Sequence, residues 1–222
     1  MTHRHTNGPE HDFEPVHGLP AELPDDEYIV WQGHPQTRSV MRYVLRGRWI
    51  AGYLALLIGW TLITGYYDGR TAGAILFSGA AVTILSAIAI VLLELFSWGV
   101  RKTTVYTVTN KRVVMRIGVA LSVTFNIPFK QITGAEMLRR NDGSGDISLT
   151  LTKASGLSWL TMWPHVRGGM FGPVTPRLTG IKDVQTVAND IALQLGAHLA
   201  RAHDAGNDAN HTADQPMAEA AE

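Results

Sequence analysis

The sequence predicts an α+β membrane protein, a two-helix transmembrane hairpin carrying a cytoplasmic antiparallel β-sheet or barrel that a C-terminal helix caps. Three observations predict it. Residues 49 to 98 hold two long apolar runs separated by a three-residue break. Residues after 103 switch to short β-branched and aromatic segments punctuated by turn residues. From residue 183 apolar residues return at helical spacing.

The first run, Trp49 to Tyr67, is 19 residues without a charge. As a helix it spans about 28 Å, close to the roughly 30 Å hydrocarbon thickness of a bilayer. The second, 71–98, is uncharged from Thr71 to Leu93 and stays apolar around Glu94 as far as Trp98. Only Asp68-Gly69-Arg70 lies between them, so the two spans are antiparallel. Trp49, Tyr66, Tyr67 and Trp98 stand at the span ends, where amphipathic rings prefer the headgroup level. Arg38, Arg42, Arg46 and Arg48 precede the hairpin, and Arg101, Lys102, Lys111 and Arg112 follow it. The bias of Lys and Arg places both flanks, and both termini, on the cytoplasmic side of the membrane.

Small residues recur every fourth position in each span: Ala51, Ala55 and Gly59, then Gly79, Thr83 and Ala87. Such faces let helices approach closely. Packing within the hairpin is the expected use, and a homodimer built on these faces is the alternative. Glu94 sits near the cytoplasmic end of its span and does not suggest a proton path.

Residues 1–27 are rich in Pro, Gly, His and acids and read as a disordered tail. The irregular spacing of His3, His5, His11 and His17 argues against a metal site. Segment 28–48 is a short strand, Tyr28 to Pro35, followed by a basic stretch suited to an anionic bilayer surface. Arg42, Arg46, Arg48, Arg101 and Lys102 are the candidate headgroup contacts.

Segment 103–202 is the extramembrane domain. Thr104 to Thr109 and Arg112 to Ile117 form a hairpin about Asn110-Lys111. Leu121 to Ile127 and Gln131 to Leu138 are strands broken at Pro128. Asp146 to Thr152 alternates cleanly after the Asn141–Gly145 turn. Trp159 to Trp163 is a further strand, and Val166 to Pro176, rich in Gly and Pro, is a loop. Asp183 caps the final helix, whose apolar face carries Val184, Val187, Ala188, Ile191, Leu195 and Leu199. Residues 203–222 read as a second disordered tail.

The chemistry is as informative in what it omits. Cysteine is missing, which removes disulfides and thiolate metal sites. Lys plus Arg balances Asp plus Glu, and a nucleic-acid binder would favour a basic chain. The Gly143–Gly145 turn lacks the following helix and Lys of a phosphate loop, and no hydrolase or metalloprotease motif is present. The expectation is a protein without catalytic residues or cofactors.

Tyr106-Thr-Val-Thr-Asn110, Arg112-Val-Val, Gly118, Ile127-Pro128-Phe129 with Ile132, and Trp31-Gln-Gly-x-Pro35 ahead of the anchor together resemble the membrane-anchored bacterial pleckstrin-homology (PH)-like domain family. This resemblance covers residues 28 to about 200 and implies a PH-like β-barrel or sheet. Residues 105–132, then GDISLTL, then WLTMWPHVR are similar to the PuhB-type photosynthetic complex assembly proteins of purple bacteria. That narrower likeness implies partners among the reaction-centre and light-harvesting 1 subunits of the photosynthetic membrane. Trp31, Trp163, His165 and Arg167 are the candidate partner contacts, since aromatic and Arg side chains favour interface cores.

Overall fold

The computed structural model describes residues 18–19, 21–119, 122–152, 158–168 and 174–213. Two four-stranded antiparallel sheets form the domain. The first has the order β1 (Ile29–Gly33), β2 (Val105–Thr109), β3 (Arg112–Ile117), β4 (Val123–Pro128). The second places β5 (Ile132–Arg139) beside β6 (Gly145–Leu151), then β8 (Thr175–Ile181), then the short edge β7 (Val166–Arg167). Their inner faces bury Tyr106, Val108, Met115, Ile147, Leu149 and Leu178. Val184, Val187 and Ile191 of α5 (Val184–Ala213) close the core from one side.

The apolar helices are an insertion in this sheet. Strand β1 comes before them and β2 after them, yet the two are hydrogen-bonded neighbours, with Gln32 opposite Thr107 and Gly33 opposite Tyr106. The strand read from segment 28–48 is therefore an edge of the domain itself. β2 is buried along its whole length. One reason is that residues before β1 cover it: Leu19 is buried and Gly18 packs on Val105, where a Cβ would come within 2.6 Å. Glu27 is also buried, its carboxylate held by Arg112 at 2.7 and 2.9 Å and by the Thr109 hydroxyl at 2.7 Å. Asn110 shapes the β2–β3 turn and bonds the Tyr28 amide and the Asp26 carbonyl. Residues 18, 19 and 21–27 thus depart from the disordered tail expected there, because the fold supplies polar partners. The four early histidines lie outside the described residues.

The hairpin consists of α2 (Gly47–Tyr67) and α3 (Ala72–Thr103). Thr71 caps α3 by accepting from the Ala74 amide. The covered positions of α3 include 75, 79, 82, 86, 89, 93, 97 and 100, with 78, 90, 96, 99 and 103 beside them. Steps of three and four are the spacing of helices packed side by side at a shallow angle. Leu62 fills the space over Gly79, and Ile75 fills that over Gly65. Of the small-residue faces, only Gly79 serves this packing. Ala51, Ala55, Thr83 and Ala87 are exposed, and a Cβ placed on Gly59 would meet nothing within 4 Å. Large side chains seated on glycines carry the contact, and that turns the alanines outward. Both helices are long and apolar enough to cross a membrane, and the rest of the protein buries 6% and 11% of their most apolar stretches.

Four local readings change. α3 continues five residues past Trp98, with Arg101 and Lys102 favourably placed in its last turn. Trp159–Met162 is a helical turn, α4, that buries Met162. The expected loop ends in strands, β7 and the start of β8; Pro176 and Gly180 disguise β8 in the sequence. α5 extends to Ala213, beyond the expected end at 202, while 214–222 lie outside the described residues. Asp183 adopts a left-handed backbone (φ 52°), and its main-chain oxygen accepts from the Thr186 amide.

The clamp on β1 is testable. Glu27→Ala strands Arg112 and Thr109 without their acceptor. Unfolding in mild detergent, followed by near-UV circular dichroism, is expected to show a loss of about 3 kcal/mol, whereas Glu136→Ala, which breaks an exposed pair with Arg167, changes stability by less than about 1 kcal/mol.

Candidate functional site

The helices and the sheets are fastened by three contacts. First, α3 passes into β2 through the single extended residue Thr104, which is fully buried. Second, the basic stretch, helical over Thr37–Ser39 (α1) and π-helical over Val40–Val44, docks on the β5–β6 turn and β8. The Gln36 amide donates to the Gly180 carbonyl at 2.9 Å, and the hydroxyls of Ser39 and Ser144 lie 3.3 Å apart. Gly180 has φ +66°, and a Cβ there would press to 3.0 Å on Ser39, so glycine admits this close approach. Asp146, buried, takes a two-pronged bond from Arg140 at 3.0 and 2.6 Å and another from the Gly180 amide at 2.8 Å. The Arg140 guanidinium then lies over the Tyr43 ring at 4.0 Å. The stretch predicted to lie on a bilayer surface is instead packed, in part, on the protein. Third, Trp163 stacks on Phe96 of α3, with centroids 5.6 Å apart.

His165 sits behind this joint. It is 1% exposed. The Tyr106 hydroxyl lies 2.5 Å from Nδ1, and Nε2 lies 3.2 Å from the Thr104 hydroxyl. The Thr179 amide donates to the same Tyr106 oxygen at 3.1 Å. Tyr106 and Thr104 hydroxyls can each donate or accept, so this set satisfies a neutral imidazole with its proton on either nitrogen. Burial, with Arg177 nearby adding to it, pushes the His165 pKa down to about 3. Burial likewise holds the Tyr106 phenol far above its ordinary range.

Two clefts border the joint. The upper one, 830 Å³, runs between Trp31, the Gln36–Arg38 segment, Arg101 and the Lys182–Asp183 turn ahead of α5. The lower one, 570 Å³, shares Thr37 and Arg38 and continues past Met41 and Gly47 to Ala51 and Glu94.

Comparison with known proteins places this architecture. The family model described as the bacterial PH domain matches residues 48–194. A protein of Rhodobacter capsulatus, described as an uncharacterised 23.7 kDa protein in the puhA 5′ region, is 31% identical over 189 residues, which is 85% of this chain and 88% of that protein. The chain belongs to the bacterial PH domain family. The crystal structure of a pleckstrin-homology-domain protein from Shewanella loihica is similar over 41% of this chain and 71% of that one, with 20% identity and a TM-score of 0.27. The family match, the two antiparallel sheets and α5 bear out the expected PH-like antiparallel β-domain capped by a C-terminal helix. In this family member the matched region begins inside the first turn of α2, so β1 lies ahead of it although it fills an edge of the sheet.

The candidate partner contacts separate. His165 is withdrawn from any partner by its burial and serves the joint, which corrects the expectation for it. Trp163, 41% exposed, shows one flank outward and gives the other to Phe96. Arg167 is exposed and ion-paired to Glu136. Trp31 packs partly on the core and lines the upper cleft. Among the headgroup candidates Arg42 and Arg48 line the lower cleft and Arg101 the upper. Lys102 lies over the Trp98 ring instead, and Arg46, at φ 52°, turns the chain into α2. Sequence singled out Arg38 only as one of the charges that orient the hairpin, and Thr37 and Lys182 not at all. Thr37 lies beside the basic flank, whereas Lys182 lies far from it in sequence.

His165 sets a pH dependence. Its folded pKa lies below the ordinary value of 6.5, so the unfolded chain binds the extra proton between about pH 6.5 and 3. The stability it contributes is complete above that window and is lost as pH falls through it, at up to about 1.4 kcal/mol per pH unit. Unfolding free energies of the native chain and of His165→Gln, compared between pH 7 and 5, are expected to show a shallower slope for the variant. Equal slopes would show that this ring is not buried neutral.

Proposed function

We propose that this chain is a non-catalytic assembly factor of the PuhB type, held in the bilayer by α2 and α3, that binds nascent subunits of the photosynthetic reaction centre–light-harvesting 1 core complex. The observation that carries the reading is the relative in the puhA 5′ region. The alignment runs through most of both chains and spans hairpin and domain alike. That relative is encoded near photosynthesis genes.

The geometry supports the membrane placement. Leu56, Trp60, Phe77 and Leu85 project from α2 and α3 without cover, as lipid-facing or partner-facing side chains do. Arginines and lysines flank the hairpin on its domain side, which favours a cytoplasmic domain and cytoplasmic termini. The outward Ala51 and Ala55 give another transmembrane helix a place to approach. The three-point joint keeps the domain at a fixed attitude to those helices. A subunit inserted beside the hairpin then meets the exposed flank of Trp163 on the same side of the membrane. The reading assigns no reaction to the protein.

The test is co-purification of the tagged full chain from photosynthetic membranes in mild detergent. Reaction-centre and light-harvesting 1 subunits are expected with it, and deletion of the gene is expected to lower core-complex abundance while pigment synthesis continues. Recovery of the chain from the membrane without those subunits, together with normal core-complex levels in the deletion strain, would overturn the reading.

A further inference from the structure

We infer that the two clefts at the joint form one binding site for an anionic phospholipid, with its phosphate held in the upper cleft by Arg38, Arg101 and Lys182 and its glycerol and acyl end lying in the lower cleft beside Ala51. The inference rests on the bilayer placement of α2 and α3 proposed above and not on any photosynthetic partner.

Four features converge on it. Among the described residues, Arg38, Arg101 and Lys182 are exposed and make no ion pair, although they come from three separate parts of the chain. Like charges gathered without an ion pair are kept together here by the fold, and an anion between them removes their repulsion. Asp183 is the one carboxylate lining the upper cleft and Glu94 the one lining the lower. Against them stand Arg38, Arg101, Lys182, Arg42 and Arg48.

Second, the Thr37 hydroxyl is buried at the boundary shared by both clefts and has no hydrogen-bond partner. Such groups nearly always find one. A rotation about its χ1 offers a donor to a phosphate oxygen at the place where headgroup and glycerol would join. Third, the clefts are stacked along α3. Arg101 lines the upper and Glu94 the lower, seven residues apart, or about 10 Å of helix rise. Trp98, between them and exposed, marks the level an interfacial ring would take. The basic cleft is thus on the domain side and the other on the side of the apolar helices, the order in which a lipid presents phosphate and chain. Fourth, the upper cleft has the size of a small-molecule site, about 300–1,000 Å³.

Lipid supplies this chemistry better than free phosphate does, because the lower cleft would leave free phosphate without a use for Met41, Gly47 and Ala51. The experiment uses the full chain purified in mild detergent, with phosphatidylglycerol and phosphatidylcholine as probes and native mass spectrometry as the readout. One phosphatidylglycerol is expected to stay bound in preference to phosphatidylcholine. The triple variant Arg38→Gln, Arg101→Gln, Lys182→Gln is expected to bind it about a hundredfold more weakly, from roughly fivefold per cation. Ala51→Trp, which fills the lower cleft from an exposed position and leaves every charge in place, is expected to lose the lipid as well. Arg70→Gln, at the far end of the hairpin, is expected to retain it. Near-UV circular dichroism checks that each variant is folded. Unchanged affinity in either the triple variant or Ala51→Trp overturns the site. So does equal retention of phosphatidylcholine, or displacement of the lipid by millimolar inorganic phosphate. Carbonate extraction of the native chain from membranes would overturn the bilayer placement itself; resistance to extraction combined with lost lipid selectivity would overturn only the site.

Discussion

The pairing of β1 with β2 is the constraint on which the rest of the molecule depends. The chain leaves the sheet after Gly33, travels through two apolar helices and returns to the adjacent position at Val105. Closing such a long excursion costs entropy before any contact repays it. A five-residue edge strand repays little by itself. The cost is offset by the contacts around it: Glu27 on Arg112 and Thr109, Asn110 on Tyr28 and Asp26, Gly18 on Val105 of β2. Once β1 is seated, both ends of the hairpin are anchored in the same sheet. The helices can then neither swing nor rotate without breaking a strand.

Buried polar groups fix this geometry more firmly than the surface charges do. The Lys111–Asp26 and Arg167–Glu136 pairs are exposed, and pairs of that kind contribute little. Asp146 is different. It takes Arg140 and the Gly180 amide in a site where a missing partner would leave a buried charge. Through Arg140 it reaches Tyr43, and through Gly180 it reaches Gln36 and Ser39. His165 plays the corresponding part for α3, since Thr104 is the passage from helix to strand and Tyr106 follows it in β2. Both networks specify one angle between helices and sheets, and looser apolar packing would permit several.

These relations explain what the sequence revealed and what it hid. The β2–β3 hairpin was legible because Asn110-Lys111 and the β-branched flanks act locally. β6 was legible from the alternation of Ile147, Leu149 and Leu151, α5 from its periodicity, and the apolar helices from length and composition. The place of β1 was hidden because its partner lies 73 to 80 residues on. β8 was hidden because Gly180, which admits Ser39, and Pro176, next to an edge strand, are read locally as breakers. His165 looked like a surface candidate beside two tryptophans. Its burial depends on Tyr106 and Thr179, neither of them near it in sequence. The clefts were the least legible feature, since Arg38, Arg101 and Lys182 become neighbours only after β1 is paired and α5 is laid on the core.

The division of labour between the two surfaces of the hairpin follows from the same logic. Its inner face uses a few glycines as sockets for Leu62 and Ile75 and is complete within the chain. Its outer face combines exposed alanines with large apolar rings. A protein needing only a tether would gain nothing from a helix pair held at a defined angle to its extramembrane domain, because a flexible linker would suffice. Three separate fastenings at the joint make sense where the outer helical face and the domain must be presented together. The proposed assembly role has that requirement, because a newly inserted subunit carries a membrane segment and an extramembrane segment and is recognised through both. A lipid seated in the clefts would add to the same rigidity, filling space at the joint that the protein's own side chains leave open.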